Sequence, residues 1–170
     1  MANRNYWLVK SEPNAYSFAD LQSEPDQTAE WDGVRNYAAR NIMRDQMKTG
    51  DGVLFYHSNI KPMAIIGTAV VVNEGYPDHT AWDPASEHPD PKSTADNPIW
   101  YMVDIKAGEE FLQRVTLTEI KSTPGLEKMV LVNRSRLSVQ PVKPNEWDII
   151  VTMGNRDDLC TLPSGPNDKG

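Results

Sequence analysis

A chain of 170 residues suits one domain and is long enough to bury a core. Its 24 acids against 17 bases leave a net charge of −7, which excludes bulk electrostatic attraction to nucleic acid; any such binding needs a local basic patch or a pocket for one nucleotide. The lone Cys160 excludes an intramolecular disulfide and makes a cysteine metal site implausible, and no apolar run approaches the roughly 20 residues that cross a bilayer.

The pattern of apolar and turn residues gives the elements in chain order. Residues 6–10, Tyr-Trp-Leu-Val-Lys, are expected to form a short strand that Pro13 ends. Ser17 is placed to cap a short helix over 18–22, and 23–30 is polar and loop-like. Asn36 is a candidate N-cap for a helix over 38–48. Ala39, Ile42, Met43 and Met47 share its buried face, Arg40, Arg44 and Lys48 form a basic ridge on the other, and Gly50 is placed as its left-handed C-cap.

After the Asp51-Gly52 turn, residues 53–57 and 64–73 are strands by their β-branched and aromatic content, with Gly67 marking a bulge. Residues 75–98 carry five prolines, at 77, 84, 89, 91 and 98, and form a long loop of the functional or mobile kind. Strands are expected over 99–106 and 111–117, short helices near 119–121 and 126–130, a last strand over 137–142 and a helix over 146–153 that Gly154 stops. Residues 1–154 are thus the domain, and 155–170 are expected to be a disordered tail.

The expected class is α+β, with many short strands and a few helices. No GxGxxG or GxxxxGK[ST] loop follows a strand, and His57, His79 and His88 lack metal-ligand spacing; neither a cofactor nor a metal is expected. Nothing near Met1 resembles a secretory leader, so a reducing, cytoplasmic setting is expected, away from membranes.

Residues 31–37, Trp-Asp-Gly-Val-Arg-Asn-Tyr, concentrate the groups that grip a flat polar ring. Trp31 and Tyr37 offer stacking faces, Arg35 and Asn36 offer hydrogen bonds, and Gly33 beside Val34 lets backbone approach a ligand. The same residues also suit a core, with packed aromatics and Arg35 as a surface charge. Three other strand ends mix polar and aromatic groups: Lys10, Ser11 and Glu12; Phe55, Tyr56, His57 and Ser58; and Ser138 with Gln140. Convergence of such ends at a barrel mouth would make one pocket. Ser58 beside His57, with Glu12, also permits an enzyme acting on a nucleotide or small metabolite, although Ser58 lies in no nucleophile elbow. A protein-interaction module with an acidic face is the third alternative, and it would expose a broad apolar patch.

Five ordered segments resemble the EVE domain family: residues 6–13, 31–41, 50–59, 76–78 (Tyr-Pro-Asp) and 137–142 (Leu-Ser-Val-Gln-Pro-Val). The resemblance implies a PUA-like fold, a small mixed β-barrel flanked by short helices. It also implies a non-catalytic module that recognises a modified base in DNA or RNA. Under that implication Trp31 is the leading stacking platform, with Tyr37 and Phe55 as candidates for the opposite wall. Asn36, Ser11, Ser138 and Gln140 read base edges. Lys10 and Arg35, with Arg40 and Arg44 on the helix behind them, meet phosphates. Extruding a base costs a few kcal/mol, and stacking returns about 1–3 kcal/mol.

Overall fold

The computed structural model describes residues 4–134 and 136–156. Six strands form one sheet: β1 (Tyr6–Ser11), β2 (Thr28–Glu30), β3 (Gly52–His57), β4 (Ala64–Pro77), β5 (Tyr101–Thr116) and β6 (Val139–Val142), in the order β2-β5-β4-β3-β1-β6. Among the described residues five α-helices accompany them: α1 (Phe18–Gln22), α2 (Tyr37–Asp45), α3 (Leu117–Lys121), α4 (Val130–Asn133) and α5 (Pro144–Gly154). β1 and β3 are parallel, and every other pairing is antiparallel.

The fold is mixed α and β with flanking short helices as expected, and the sheet that the resemblance implied as a small barrel is open. Its two edges are the three-residue β2 and the four-residue β6, which do not pair. Instead α2 packs against β4, β5 and β6, so a helix fills the gap between the two ends of the sheet.

Apolar side chains occupy both faces, as alternation along a doubly covered sheet requires. Trp7, Val9, Val53 and Phe55 face α1 and α2 in one core, while Leu8, Leu54 and Tyr56 face Ile120, Leu131 and Ile150 of α3, α4 and α5 in the other. Asp51 ties the first core to the chain ends of its strands. It accepts from the Trp7 indole N–H at 2.8 Å, the Asn5 amide at 3.2 Å and the Lys48 amide at 2.9 Å.

Local signals account for the helix starts. Ser17 and Asp20 form a reciprocal capping box on α1, and Asn36 caps α2 by accepting from the Ala39 amide at 2.9 Å. α2 ends at Asp45, earlier than expected, so Gly50 (φ +94°) serves the following turn and is not the helix cap.

Three further differences concern β structure. Residues 28–30, expected as loop, are β2; the two strands expected over 99–106 and 111–117 are one long β5; and β4 runs on to Pro77. Bulges between Ile65 and Gly67 and at three later points let β4 and β5 curl without separating. The expected tail begins with two docked residues. The Arg156 guanidinium donates to Gln113 and pairs with Glu119, while residues 157–170 lie outside the described residues.

Candidate functional site

Parallel pairing of β1 with β3 sets Lys10 opposite Tyr56 and Ser11 opposite His57, so both strands end at one rim. The Ser58 amide donates to the Ser11 carbonyl at 2.9 Å and extends that pairing past the strands. Ser138, just before β6, joins the same rim because its carbonyl accepts from the Lys10 amide at 3.0 Å. Residues 31–35 enter from the opposite edge of the sheet, where the Trp31 amide donates to the Val103 carbonyl at 2.8 Å.

Between these segments lies a cleft of about 1040 Å³. Lys10, Ser11, Glu12, Trp31, Gly33, Val34, Arg35, Tyr56, Ser58 and Ser138 all line it, together with Asp32, Tyr16, Glu87 and His88. Trp31 is only 7% exposed; it meets Tyr16 and Phe55 edge to face at 6.0 and 5.4 Å and offers the cleft a narrow strip.

The other expected site residues lie elsewhere. Phe55 is fully buried beneath Trp31. Asn36 spends its side-chain oxygen on capping α2 and borders a separate depression of about 300 Å³ with Arg134 and Arg136. Gln140 is buried and donates to the Arg134 and Leu137 carbonyls, which fixes the loop before β6. Tyr37 is 60% exposed outside the cleft, stacked on Trp100 at 4.9 Å. Arg40 lies 5.0 Å from the Tyr37 ring and donates to the Ile99 carbonyl, and Arg44 pairs with Asp45.

Arg35 is tied down by groups that sequence reasoning did not place at the site. It pairs with buried Asp78 at 3.0 Å, donates to the His88 carbonyl at 2.7 Å and lies over the Trp100 ring at 5.5 Å. Asp78 also accepts from the Gly33 amide at 2.9 Å and from the Thr80 amide and hydroxyl. Burial pushes the Asp78 carboxyl upward, but the donors Thr80, Gly33 and Arg35 together outweigh it and hold the group below the usual carboxylate range. Gly33 is required here: its φ is +77°, and a Cβ there would sit 2.8 Å from the His88 ring. The Pro-rich loop is thus docked on the motif that opens α2. Asp78 is the one member of this latch with a sequence signal, as the last residue of the Tyr-Pro-Asp segment.

The cleft itself is acidic: Glu12, Glu24, Glu30, Asp32 and Glu87 all border it. Glu24 accepts from the Tyr16 hydroxyl at 2.7 Å, and Glu12 accepts from the Asn59 side-chain Nδ2 at 3.3 Å. Burial lowers the pKa of Lys10, whose ammonium lies 5.9 Å from the Tyr56 ring. Burial raises that of Asp32, opposed by His88 at 3.7 Å.

His57 does not face Ser58 as a base. Its Nε2 accepts from the Phe18 amide at 3.1 Å, so the ring holds the start of α1. Burial, helped by nearby Arg114, depresses its pKa. The folded state therefore binds fewer protons at this ring than the unfolded chain, and stability is expected to fall as pH drops below about 6.5. Urea midpoints at pH 7.5 and 5.5 should drop with acid in the wild type and drop less in His57→Gln.

Among the described residues no group of three or more His, Cys, Asp or Glu side chains is placed to hold a metal. No described helix is long and apolar enough to cross a membrane. The large exposed apolar side chains, Tyr37, Ile60, Met63, Val72 and Leu112, come from α2, the β3–β4 turn, β4 and β5.

Comparison with known proteins matches this architecture along most of the chain. The EVE domain model matches residues 5–153. Thymocyte nuclear protein 1 of Mus musculus is 43% identical over 88% of this chain and 73% of its own length. A hypothetical protein from Leishmania major has a TM-score of 0.85 at 49% identity, covering 89% of this chain and 95% of that one. Human THYN1 protein, solved in complex with 5-methylcytosine-containing DNA, has a TM-score of 0.83 at 40% identity, covering 90% of this chain and 99% of that one. PSPTO5229 from Pseudomonas syringae has a TM-score of 0.81 at 42% identity, covering 87% and 98%. With the match running from the first strand to the last helix, the chain belongs to the EVE domain family.

Proposed function

We propose that this protein is a non-catalytic reader of a modified base in nucleic acid, with 5-methylcytosine in DNA as the first ligand to test. The observation that carries the reading is likeness along nearly the whole chain to a human protein solved on 5-methylcytosine-containing DNA. The geometry supports it. The cleft has room for an extruded base, one wall is the Trp31 strip, and Lys10, Ser11 and Ser138 place polar groups at its rim.

Charge sorts the contacts. A cleft bordered by five carboxylates repels phosphate, so a base enters and its backbone stays outside. Arg40, beside the Tyr37–Trp100 stack, and Arg44 on the same helix offer a local grip for that backbone. What counts against the enzyme alternative is that His57 accepts from the Phe18 amide and does not line the cleft that Ser58 lines.

The test is a titration of labelled oligonucleotides against the wild type and Trp31→Ala. The duplex carrying 5-methylcytosine is expected to bind more tightly than the unmodified duplex, and Trp31→Ala to lose affinity because it removes that wall of the cleft. Equal affinity for modified and unmodified duplexes would reject the reading for DNA. Preference for a modified RNA strand would move it to RNA.

A further inference from the structure

The geometry points to Asp32 as the residue that determines which base the cleft accepts, by taking a hydrogen bond from an exocyclic amino group at ring position 4. The inference rests on the proposed reader function and narrows its ligand to amino-bearing pyrimidines, excluding 4-oxo pyrimidines such as thymine.

Asp32 follows the buried Trp31 and lines the cleft. Of the other carboxylates bordering the cleft, three are already engaged, and Glu87 stands exposed on the Pro-rich loop. Glu24 holds the Tyr16 hydroxyl, Glu30 holds the His79 ring at 3.2 Å and the Tyr76 hydroxyl at 3.4 Å, and Glu12 holds Asn59. Asp78 is sealed behind Gly33 and Arg35. For Asp32 the favourable groups are its own amide and His88, whose Nε2 lies 3.7 Å away, beyond hydrogen-bond length. Its side chain is 37% exposed, on the cleft side of a half-buried loop. Burial raises its pKa, so the carboxylate gains from any donor brought to it.

A carboxylate accepts and, when ionised, does not donate. Cytosine and 5-methylcytosine present an amino donor at position 4, the contact for which Asp and Glu are suited. Thymine has the same ring and the same methyl group but a carbonyl oxygen at position 4. Facing Asp32, that oxygen meets another acceptor across a desolvated gap, and neither is satisfied.

The test compares two duplexes that differ at one position, 5-methylcytosine opposite guanine and thymine opposite guanine. The mismatched thymine is easier to extrude, so a preference for 5-methylcytosine cannot come from flipping cost. The wild type is expected to favour 5-methylcytosine by about tenfold to a hundredfold. Asp32→Asn, which keeps the shape and adds a donor, should bring the two affinities within about threefold by gaining thymine as well as losing 5-methylcytosine. Asp32→Ala should lose affinity for 5-methylcytosine without losing any for thymine. Equal binding of both duplexes by the wild type, or an unchanged ratio in Asp32→Asn, would overturn the role of Asp32 and leave the reader function standing. Failure of the wild type to bind either duplex better than an unmodified one would overturn the reader function itself.

Discussion

Asp78→Ala is expected to cost about 3 kcal/mol of stability and to weaken nucleic-acid binding at least tenfold. Truncating one member of a buried ion pair costs about 3–5 kcal/mol because its partner is left uncompensated. The lower end applies because the Arg35 side chain keeps 24% of its surface exposed while that of Asp78 keeps none. The same carboxylate holds the Gly33 amide and both Thr80 donors, so the loop and the rim of the cleft loosen together. Denaturant unfolding measures the first effect and oligonucleotide titration the second. Stability in Asp78→Ala within about 0.5 kcal/mol of wild type would show that the latch contributes nothing.

Acid should reproduce part of this loss. Because Asp78 titrates below the usual carboxylate range, its stabilisation is fully present above the unfolded value of about 3.9 and disappears as pH falls through the folded one. Asp32 acts with the opposite sign. Its raised pKa costs stability at neutral pH, and protonation above about 3.9 relieves that cost. Between neutrality and pH 4 the two residues therefore do not add, and the steep loss assigned to Asp78 lies below that range.

Phe55→Ala is expected to destabilise by about 3–5 kcal/mol, as truncation of a buried aromatic ring does. The ring is fully buried and meets Phe18, Trp31 and His57 at centroid distances of 5.3, 5.4 and 5.7 Å. Removing it opens a cavity directly under Trp31. Phe55→Leu keeps most of the volume and should cost about 1.5 kcal/mol. If Phe55 acts only by supporting Trp31, Phe55→Leu retains base binding while Trp31→Ala loses it. Loss of binding in a stably folded Phe55→Leu would instead place the ring in contact with the ligand.

The contrast between Phe55 and Trp31 marks where sequence reasoning stopped. A strand with both faces covered reads as one apolar run, so Val53 to His57 reveals a strand but not which side chains look into a cleft. Cap chemistry was legible at Ser17 and Asn36 because it is local. β2 was not, since Thr28, Ala29 and Glu30 owe their extended form to pairing with β5 and not to their own propensity. The docking of residues 78–88 on Gly33 and Arg35 was equally hidden: Asp78 and His88 are polar residues in a Pro-rich stretch, and only a partner far away in sequence turns them inward. The rim itself was read from four polar strand ends, and the structure draws ten of those residues into one cleft while giving Asn36, Tyr37, Phe55, His57 and Gln140 other tasks.

The position of β1 has a consequence for how the molecule comes into being. The first strand of the chain lies between β3 and β6, paired with residues 52–57 on one side and 139–142 on the other. One flank of that strand thus waits for residues 139–142, far along the chain from it. Closing so long a loop is entropically slow, and it makes the sheet rich in distant pairings. Ser138, which holds Lys10 in place, arrives with that last strand. A chain lacking residues 138–142 would keep the other five strands of the sheet yet lose one side of the cleft.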